Sequence, residues 1–284
     1  DRLVLVTTDR QSAFDRVLAS IPFKGQVLNQ VSAFWFEQTV DIVPNHLLAV
    51  PDPNVTVARR GRVVPVEFVV RAYLTGSTST SVWRNYAAGV RDYCGHRLPD
   101  GMKKNQPLPR ALVTPTTKSD EHDALTSGDE LVDGGVVDRA TWQRMEETAL
   151  ALFARGQEIA ARNGLILVDT KYELAWDSDG KLMLIDEVHT PDSSRYWIAD
   201  SYAARLAAGQ EPENIDKEFL RLWFVDNCDP YNDPTLPAAP DELVVELSSR
   251  YITLYERITG RAFEPALEPP IRERLRRNLA GLAG

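Results

Sequence analysis

The stretch Asp169-Thr170-Lys171-Tyr172-Glu173 sets an acid, a base and an acid at alternate positions. In a strand, alternate side chains share a face. Asp169, Lys171 and Glu173 would therefore stand in one row, while Ile166, Val168, Tyr172 and Leu174 turn the other way into a core. The strand Leu165-Ile166-Leu167-Val168-Asp169 is followed, beyond Asp177-Ser178-Asp179-Gly180, by the apolar run Lys181-Leu182-Met183-Leu184-Ile185-Asp186, and the Asp/Gly turn between them predicts a hairpin. With Asp186-Glu187 ending the second strand, the hairpin would bring three or four carboxylates within reach of one hard cation, whose preferred ligands are oxygens. Magnesium carrying a nucleotide is the natural candidate. The same row equally describes a solvated strand face whose charges pair with one another. Asp177 to Gly180 lacks the further ligands of a calcium loop and reads as a turn.

Two other stretches offer anion pockets. Arg71-Ala72-Tyr73-Leu74-Thr75-Gly76-Ser77 puts an arginine at a strand end and then a glycine flanked by hydroxyls, where backbone N–H groups can approach a phosphate. Asp192-Ser193-Ser194-Arg195 sets a second arginine beside two hydroxyls, and a guanidinium grips phosphate or carboxylate bidentately. Taken singly, each has a plainer reading as a turn or a surface charge. His46, His96, His122 and His189 show no metal-ligand spacing and read as structural or surface residues, with His122 set apart by its place in the charged run Lys118-Ser119-Asp120-Glu121-His122-Asp123.

These groups need elements to position them. Leu3 to Thr8 reads as a strand that begins almost at the first residue, without an initiator Met, as if the chain were entered after its start. Val31, Phe34, Trp35 and Thr39 predict a helix over 29–40. Val63 to Tyr73, rich in β-branched residues around Pro65, predicts a strand with an interrupted edge. Pro, Gly, Lys, Asp and Thr dominate 92–135, which reads as a long functional or mobile loop. Asp138 caps a predicted helix to about Asn163, striped by Trp142, Met145, Ala149, Leu152, Phe153 and Ile159 and closed by Gly164. Two further helices are expected over 216–225 and 241–259.

Composition narrows the class. The 284 residues are 43% apolar and 26% charged, a globular mixture, and 41 Asp and Glu against 32 Lys and Arg leave a net charge of −9. A broad grip on nucleic acid or an anionic membrane is disfavoured, since it rests on excess Lys and Arg. An anionic small substrate would need a local Arg and Lys cluster. Only two cysteines, Cys94 and Cys228, occur, neither in a metal spacing, which points to a reducing cytoplasm. No apolar run reaches membrane-spanning length, and the length favours two lobes sharing a cleft.

Four strings in order make the pattern specific: Thr8-Asp9-Arg10-Gln11-Ser12-Ala13-Phe14-Asp15; Pro65-Val66-Glu67-Phe68-Val69-Val70-Arg71 with Thr75-Gly76-Ser77; Val168-Asp169-Thr170-Lys171-Tyr172-Glu173; and Asp186-Glu187-Val188-His189-Thr190-Pro191-Asp192-Ser193-Ser194-Arg195-Tyr196-Trp197. Together they resemble the phosphoribosylaminoimidazole-succinocarboxamide synthase (SAICAR synthase) family, from Leu3 to about Phe263. The resemblance implies an α+β, two-lobed fold with a nucleotide-binding lobe of the kinase and ATP-grasp type, residues 1–75 forming the β-rich lobe and 76–284 the larger one, and the active site in the cleft. It implies an ATP-dependent ligase that joins L-aspartate to carboxyaminoimidazole ribonucleotide, by way of an acyl phosphate, in purine biosynthesis. A phosphotransferase on another acid, or a nucleotide-binding homologue without turnover, would share the lobe.

By the same resemblance, Glu173 and Asp186 hold Mg²⁺ and nucleotide, with Glu67 and Lys171 beside them on ATP. Lys171, Asp169, Asp15 and Lys118 serve catalysis, and Arg71, Ser77, Asp192, Arg195, Lys24 and Asp123 hold substrate. A Gly-Lys-containing hairpin over the ATP phosphates would lie upstream of Asp1. Ala124-Leu125 stands where the family usually has Glu-Asn, and Glu173-Leu174-Ala175 where it often has Glu-Phe-Gly.

Overall fold

The computed structural model describes residues 2–14, 16–117, 124–215 and 217–282. The chain opens with β1 (Arg2–Val6), the hairpin β2 (Arg10–Ala13) and β3 (Arg16–Ser20), α1 (Lys24–Thr39), β4 (Leu47–Asp52), β5 (Val55–Arg59) and β6 (Arg62–Tyr73). It continues through α2 (Val82–Ala87), β7 (Asp92–Tyr93), β8 (His96–Arg97), β9 (Pro107–Thr117), β10 (Ala124–Leu125), α3 (Gly128–Asp133), α4 (Arg139–Arg162), β11 (Leu165–Trp176), β12 (Leu182–Ile185) and β13 (Ser194–Ile198). Four helices follow: α5 (Ala199–Ala207), α6 (Glu218–Asn227), α7 (Asp241–Thr259) and α8 (Ile271–Leu279).

Among the described residues, β1, β5 and β4 form a small sheet, and a larger antiparallel sheet runs β10-β9-β6-β11-β12. β11 is its axis. One edge pairs with β6, and the other is shared by β13, along 165–170, and β12, along 173–176. The apolar positions of β11, including Leu167, Tyr172 and Leu174, are buried in a core with Met145, Leu152 and Phe153 of α4 and Val27, Val31 and Trp35 of α1. The register shift between Leu167 and Asp169 puts Leu167, instead of the expected Ile166 and Val168, in this core with Tyr172 and Leu174; from Asp169 onward the opposite face carries the polar row. Asp138 caps α4 as its sequence predicts, accepting from the Thr141 N–H at 2.9 Å.

Three elements differ from their sequence expectation. The strand around Pro65 is central, flanked by β9 and β11; its ladder to β9 starts only at Val66, and its register to β11 shifts between Glu173 and Ala175, so proline falls where the ladder is already broken. The expected loop 92–135 contains β9, eleven residues paired to β6, in which Pro107, Pro109 and Pro115 mask the strand signal of buried Leu112, Val113, Thr114 and Thr116. Helix α1 starts at Lys24, five residues before the expected start, because Gly25 can press against the backbone. A Cβ there would lie 2.5 Å from the Thr7 carbonyl oxygen.

His189 is fully buried, its ring 4.5 Å from that of Trp35 and its Nε2 against the Tyr172 hydroxyl. Burial pushes its pKa down to about 3. The unfolded chain would take up this proton near pH 6.5, so the stability tied to neutral His189 is complete above that pH and declines as pH falls toward 3. By pH 4 the loss should be on the order of a few kcal/mol. Denaturant melts at pH 7 and pH 4.5 are expected to show a smaller difference for His189→Gln than for the parent. An unchanged difference would remove His189 from the acid sensitivity.

Candidate active site

The polar face of β11 is built by register. Asp169 stands directly between Arg71 of β6 and Arg195 of β13, its partners on the two neighbouring strands. Both guanidinium groups meet Asp169 Oδ2, Arg195 Nη1 at 2.5 Å and Arg71 Nη1 at 3.9 Å. The two stretches that sequence treats as separate anion pockets are thus one site. Arg71 is held by two further hydrogen bonds of its fork, Nε donating to Thr114 Oγ1 at 2.9 Å and Nη2 to the Thr80 carbonyl at 3.1 Å, beside its Asp169 contact. Gly76, with φ 104°, lets the Thr75–Ser77 turn close on this row; a Cβ there would sit 3.6 Å from Arg195 Nη1 and 2.5 Å from the Ser81 Cβ. Ser77 donates to Glu218 Oε1 at 2.5 Å, and Glu218 also faces Arg195 at 3.9 Å and Arg221 at 3.5 Å. Burial works against the Glu218 charge, but Arg195, Ser77 and Arg221 outweigh it and hold the carboxyl below its usual range. Three guanidinium groups against two carboxylates leave this end net positive.

Two residues along β11, Lys171 Nζ contacts Glu173 Oε1 at 2.6 Å, Glu67 Oε1 at 3.1 Å and Asp186 Oδ2 at 3.4 Å. Glu67 accepts a further bond from Thr116 Oγ1 at 3.1 Å. Asp186 follows β12 directly with φ 65°, a left-handed conformation that aspartate tolerates better than most residues. Burial opposes the charge on Lys171, yet Asp186, Glu173 and Glu67 overcome it and raise its pKa above the ordinary lysine value. Lys171 is therefore a fixed cation at neutral pH, suited to offset phosphate charge and unsuited to accept a proton.

One ammonium among three carboxylates leaves this second end net negative, with Glu173 and Asp186 reaching the same ammonium from paired strands. Two carboxylates suit Mg²⁺, which dehydrates reluctantly and completes its shell with waters and phosphate oxygens. Among the described residues no group of three His, Cys, Asp or Glu is arranged to hold a metal. That corrects the expectation of three or four carboxylates on one cation: Asp169, though on the same face, is committed to the arginines.

A cleft of about 470 Å³ adjoins the carboxylate end, lined by residues 4–8 of the β1 segment, by Lys24 and Asn29 of α1, and by Asp186 and Glu187. A second cavity, of about 490 Å³, adjoins the arginine end, where Ser77, Thr78, Arg84 and Arg221 face Phe14 and Tyr231. Lys24 Nζ, on the wall of the first cleft, pairs with Asp192 Oδ2 at 2.9 Å, and the Tyr251 hydroxyl donates to Asp192 Oδ1 at 2.7 Å. Burial disfavours the Asp192 charge, but Lys217 and Lys24 prevail and keep its pKa low. Burial, with Asp192 and Asp186 nearby, pushes the Glu187 carboxyl above its usual range.

The sequence-predicted residues Glu67, Lys171, Glu173 and Asp186 thus assemble at one end of the face, and Arg71, Ser77, Asp169 and Arg195 at the other, with Lys24 and Asp192 paired to each other. Asp15, Lys118, His122 and Asp123 lie outside the described residues. Thr114, Thr116, Glu218 and Arg221 escape sequence reasoning. The two threonines carry a period-two signal hidden by prolines, whereas nothing local marks Arg221.

The family model described as SAICAR synthetase matches residues 1–237. The phosphoribosylaminoimidazole-succinocarboxamide synthase of Legionella pneumophila (strain Lens) is 58% identical over 280 residues, covering 98% of this chain and 90% of that protein. Among solved structures, SAICAR-synthase from Saccharomyces cerevisiae complexed with SAICAR superposes with a TM-score of 0.79 at 30% identity, over 93% of this chain and 91% of the other. A SAICAR synthetase in complex with ADP gives a TM-score of 0.70 at 25% identity, over 93% and 94%.

Proposed function

The chain belongs to the SAICAR synthetase family, and from that premise we propose how one face of β11 divides the reaction among its residues. The activity is that of a carbon–nitrogen ligase of purine biosynthesis, joining L-aspartate to carboxyaminoimidazole ribonucleotide with conversion of ATP to ADP and phosphate. The observation that carries the division is that Asp169, Lys171 and Glu173 share one face, with arginines gathered at one end and carboxylates at the other.

At the arginine end, Arg71, Arg195 and Ser77 hold the ribonucleotide phosphate; the net positive charge and guanidinium forks support this role. At the carboxylate end, Glu173 and Asp186 would hold Mg²⁺ with the nucleotide phosphates, and Glu67 completes the ATP site. Bound there, Mg²⁺ supplies neutralisation of the charge that develops during phosphoryl transfer. Lys171, the one cation among the carboxylates of that end, faces the transferred group as a permanent positive charge.

The ribonucleotide carboxylate attacks the terminal phosphorus of ATP, the bond to ADP breaks, and an acyl phosphate results. The aspartate amine then attacks the acyl carbon, phosphate leaves, and the amine gives up a proton as the amide forms. Asp169 orients both arginines, and the Lys24–Asp192 pair, whose lysine lines the 470 Å³ cleft, is assigned to substrate. Asp15, Lys118 and Asp123 are assigned to the same region on sequence resemblance. We assign residues 1–75 to the β-rich N-terminal lobe of an ATP-binding region of the kinase and ATP-grasp type and residues 76–284 to the larger lobe that carries the metal and substrate site, and infer a cytoplasmic setting, in keeping with the free thiols of Cys94 and Cys228. No described helix is long and apolar enough to cross a membrane.

The purified protein with Mg²⁺ is expected to release ADP only when aspartate and the carboxylated ribonucleotide are both present, and to stop in excess chelator. ADP release indifferent to aspartate would indicate phosphotransfer to another acid. Nucleotide binding without substrate-dependent ADP release would indicate a homologue without turnover.

A further inference from the structure

Helix α8 lies beyond residues 1–237, which the family model matches, yet it reaches back to the first sheet. Its buried residue is a cation, Arg274, only 4% exposed. The guanidinium serves three partners: Nε donates to Asp52 Oδ2 at 2.9 Å, Nη2 to Asn54 Oδ1 at 2.5 Å and Asp52 Oδ1 at 3.3 Å, and Nη1 to the Ala266 carbonyl. Asp52, also buried, accepts further bonds from Asn278 Nδ2 at 2.8 Å and from the Asn54 N–H at 2.9 Å. Both polar side chains of the β4–β5 turn, Asp52 and Asn54, are therefore tied to the tail.

The tie continues into the cleft wall. Asn54 Nδ2 donates to the Thr7 carbonyl at 2.9 Å, and the Thr7 N–H donates to the Asn54 carbonyl at 2.8 Å. Thr7 belongs to the 4–8 segment that lines the 470 Å³ cleft. From the other side, Gln26 exchanges two hydrogen bonds with Ala266, at 3.2 and 2.9 Å, and fixes the first turn of α1, whose Lys24 and Asn29 line the same cleft. Gly25 leaves no slack where the two walls meet, since a Cβ would lie 2.5 Å from the Thr7 oxygen and 2.6 Å from Asn54 Nδ2.

A helix can be anchored by apolar side chains at less desolvation cost than by a buried ion pair, so a charge network at this place favours defined geometry over net stability. We propose that Arg274 is a positioning residue for the nucleotide cleft: through Asp52 and Asn54 it sets the 4–8 segment against the start of α1 and so tunes affinity for adenine nucleotide. The inference takes the 470 Å³ cleft, lined in part by Asp186, as the site of the nucleotide, and so rests on the assignment of ATP to the carboxylate end.

The test uses the full chain with Mg²⁺ and ADP as the calorimetric probe, alongside KM for each substrate and kcat. The parent should bind ADP. Arg274→Gln leaves Asp52 without its ionic partner and should weaken ADP binding about tenfold or more, because breaking a buried charge pair removes a large, geometry-dependent interaction. ATP KM should rise in parallel, while ribonucleotide KM and kcat at saturation change less than about twofold. Arg274→Lys should recover part of the loss, retaining charge without the fork. ADP affinity unchanged in Arg274→Gln, with a lowered melting temperature as the sole effect, would make Arg274 a structural anchor and overturn the proposal. If Arg274→Gln does not fold, Asn278→Ala removes just one donor to Asp52 and should weaken ADP binding about two- to threefold; unchanged affinity there overturns the proposal. Failure of the parent itself to bind ADP would instead overturn the cleft assignment.

Discussion

Glu173→Gln and Asp186→Asn should each lower kcat about a hundredfold or more, the range expected when electrostatic stabilisation of a transition state is removed. Both substitutions preserve size and some hydrogen bonding, so their shared effect is loss of a carboxylate at the end of the sheet face where Lys171 is outnumbered by acids. A single remaining carboxylate would hold Mg²⁺ poorly, and charge developing on the transferred phosphoryl group would go uncompensated. Ribonucleotide affinity, measured by calorimetry without ATP, should stay close to that of the parent, because Arg71 and Arg195 meet at Asp169, a separate position of the same strand. Near-normal kcat in both variants would reduce the row Asp169, Lys171 and Glu173 to a paired, solvated strand face.

Replacing either arginine by lysine should act on the other substrate. Arg195→Lys keeps the positive charge but cannot address Asp169 and Glu218 with separate nitrogens, at 2.5 and 3.9 Å, and still present a fork to phosphate. Ribonucleotide KM is expected to rise about tenfold or more, with ATP KM within about twofold, when each substrate is varied at saturating levels of the others. Arg71→Lys should follow the same pattern with an added loss of thermal stability, since the Arg71 side chain is buried and bonded to Thr114 and the Thr80 carbonyl. An equal rise in both KM values, or none, would assign these arginines to holding the sheet together.

Much of this site is legible before folding because its central strand reports on itself. A period of two puts Asp169, Lys171 and Glu173 on one face and Tyr172 and Leu174 on the other, and the structure has that division. The cap and stripe of α4 and the bounds of α7 are equally local, each set by residues within a few turns of one helix. Helices α5 and α8 carry no comparable signal: α5 has no buried residue, and α8 is tethered through one buried arginine instead of an apolar stripe.

What sequence by itself determined, then, is which residue types face together along one strand and which family's motifs they spell. Only the tertiary structure decided which strands lie beside it. Arg71 and Arg195, distant from each other in the chain, become neighbours because β6 and β13 pair with opposite edges of β11 at Asp169. That pairing draws Asp169 to the arginines, leaving Glu67, Glu173 and Asp186 around Lys171. Likewise, Asp52 and Arg274 meet across most of the chain's length. The physical reason is the range of the cause: alternation and capping depend on neighbouring residues, whereas strand order and register follow from the simultaneous burial of several apolar faces, which no single segment encodes.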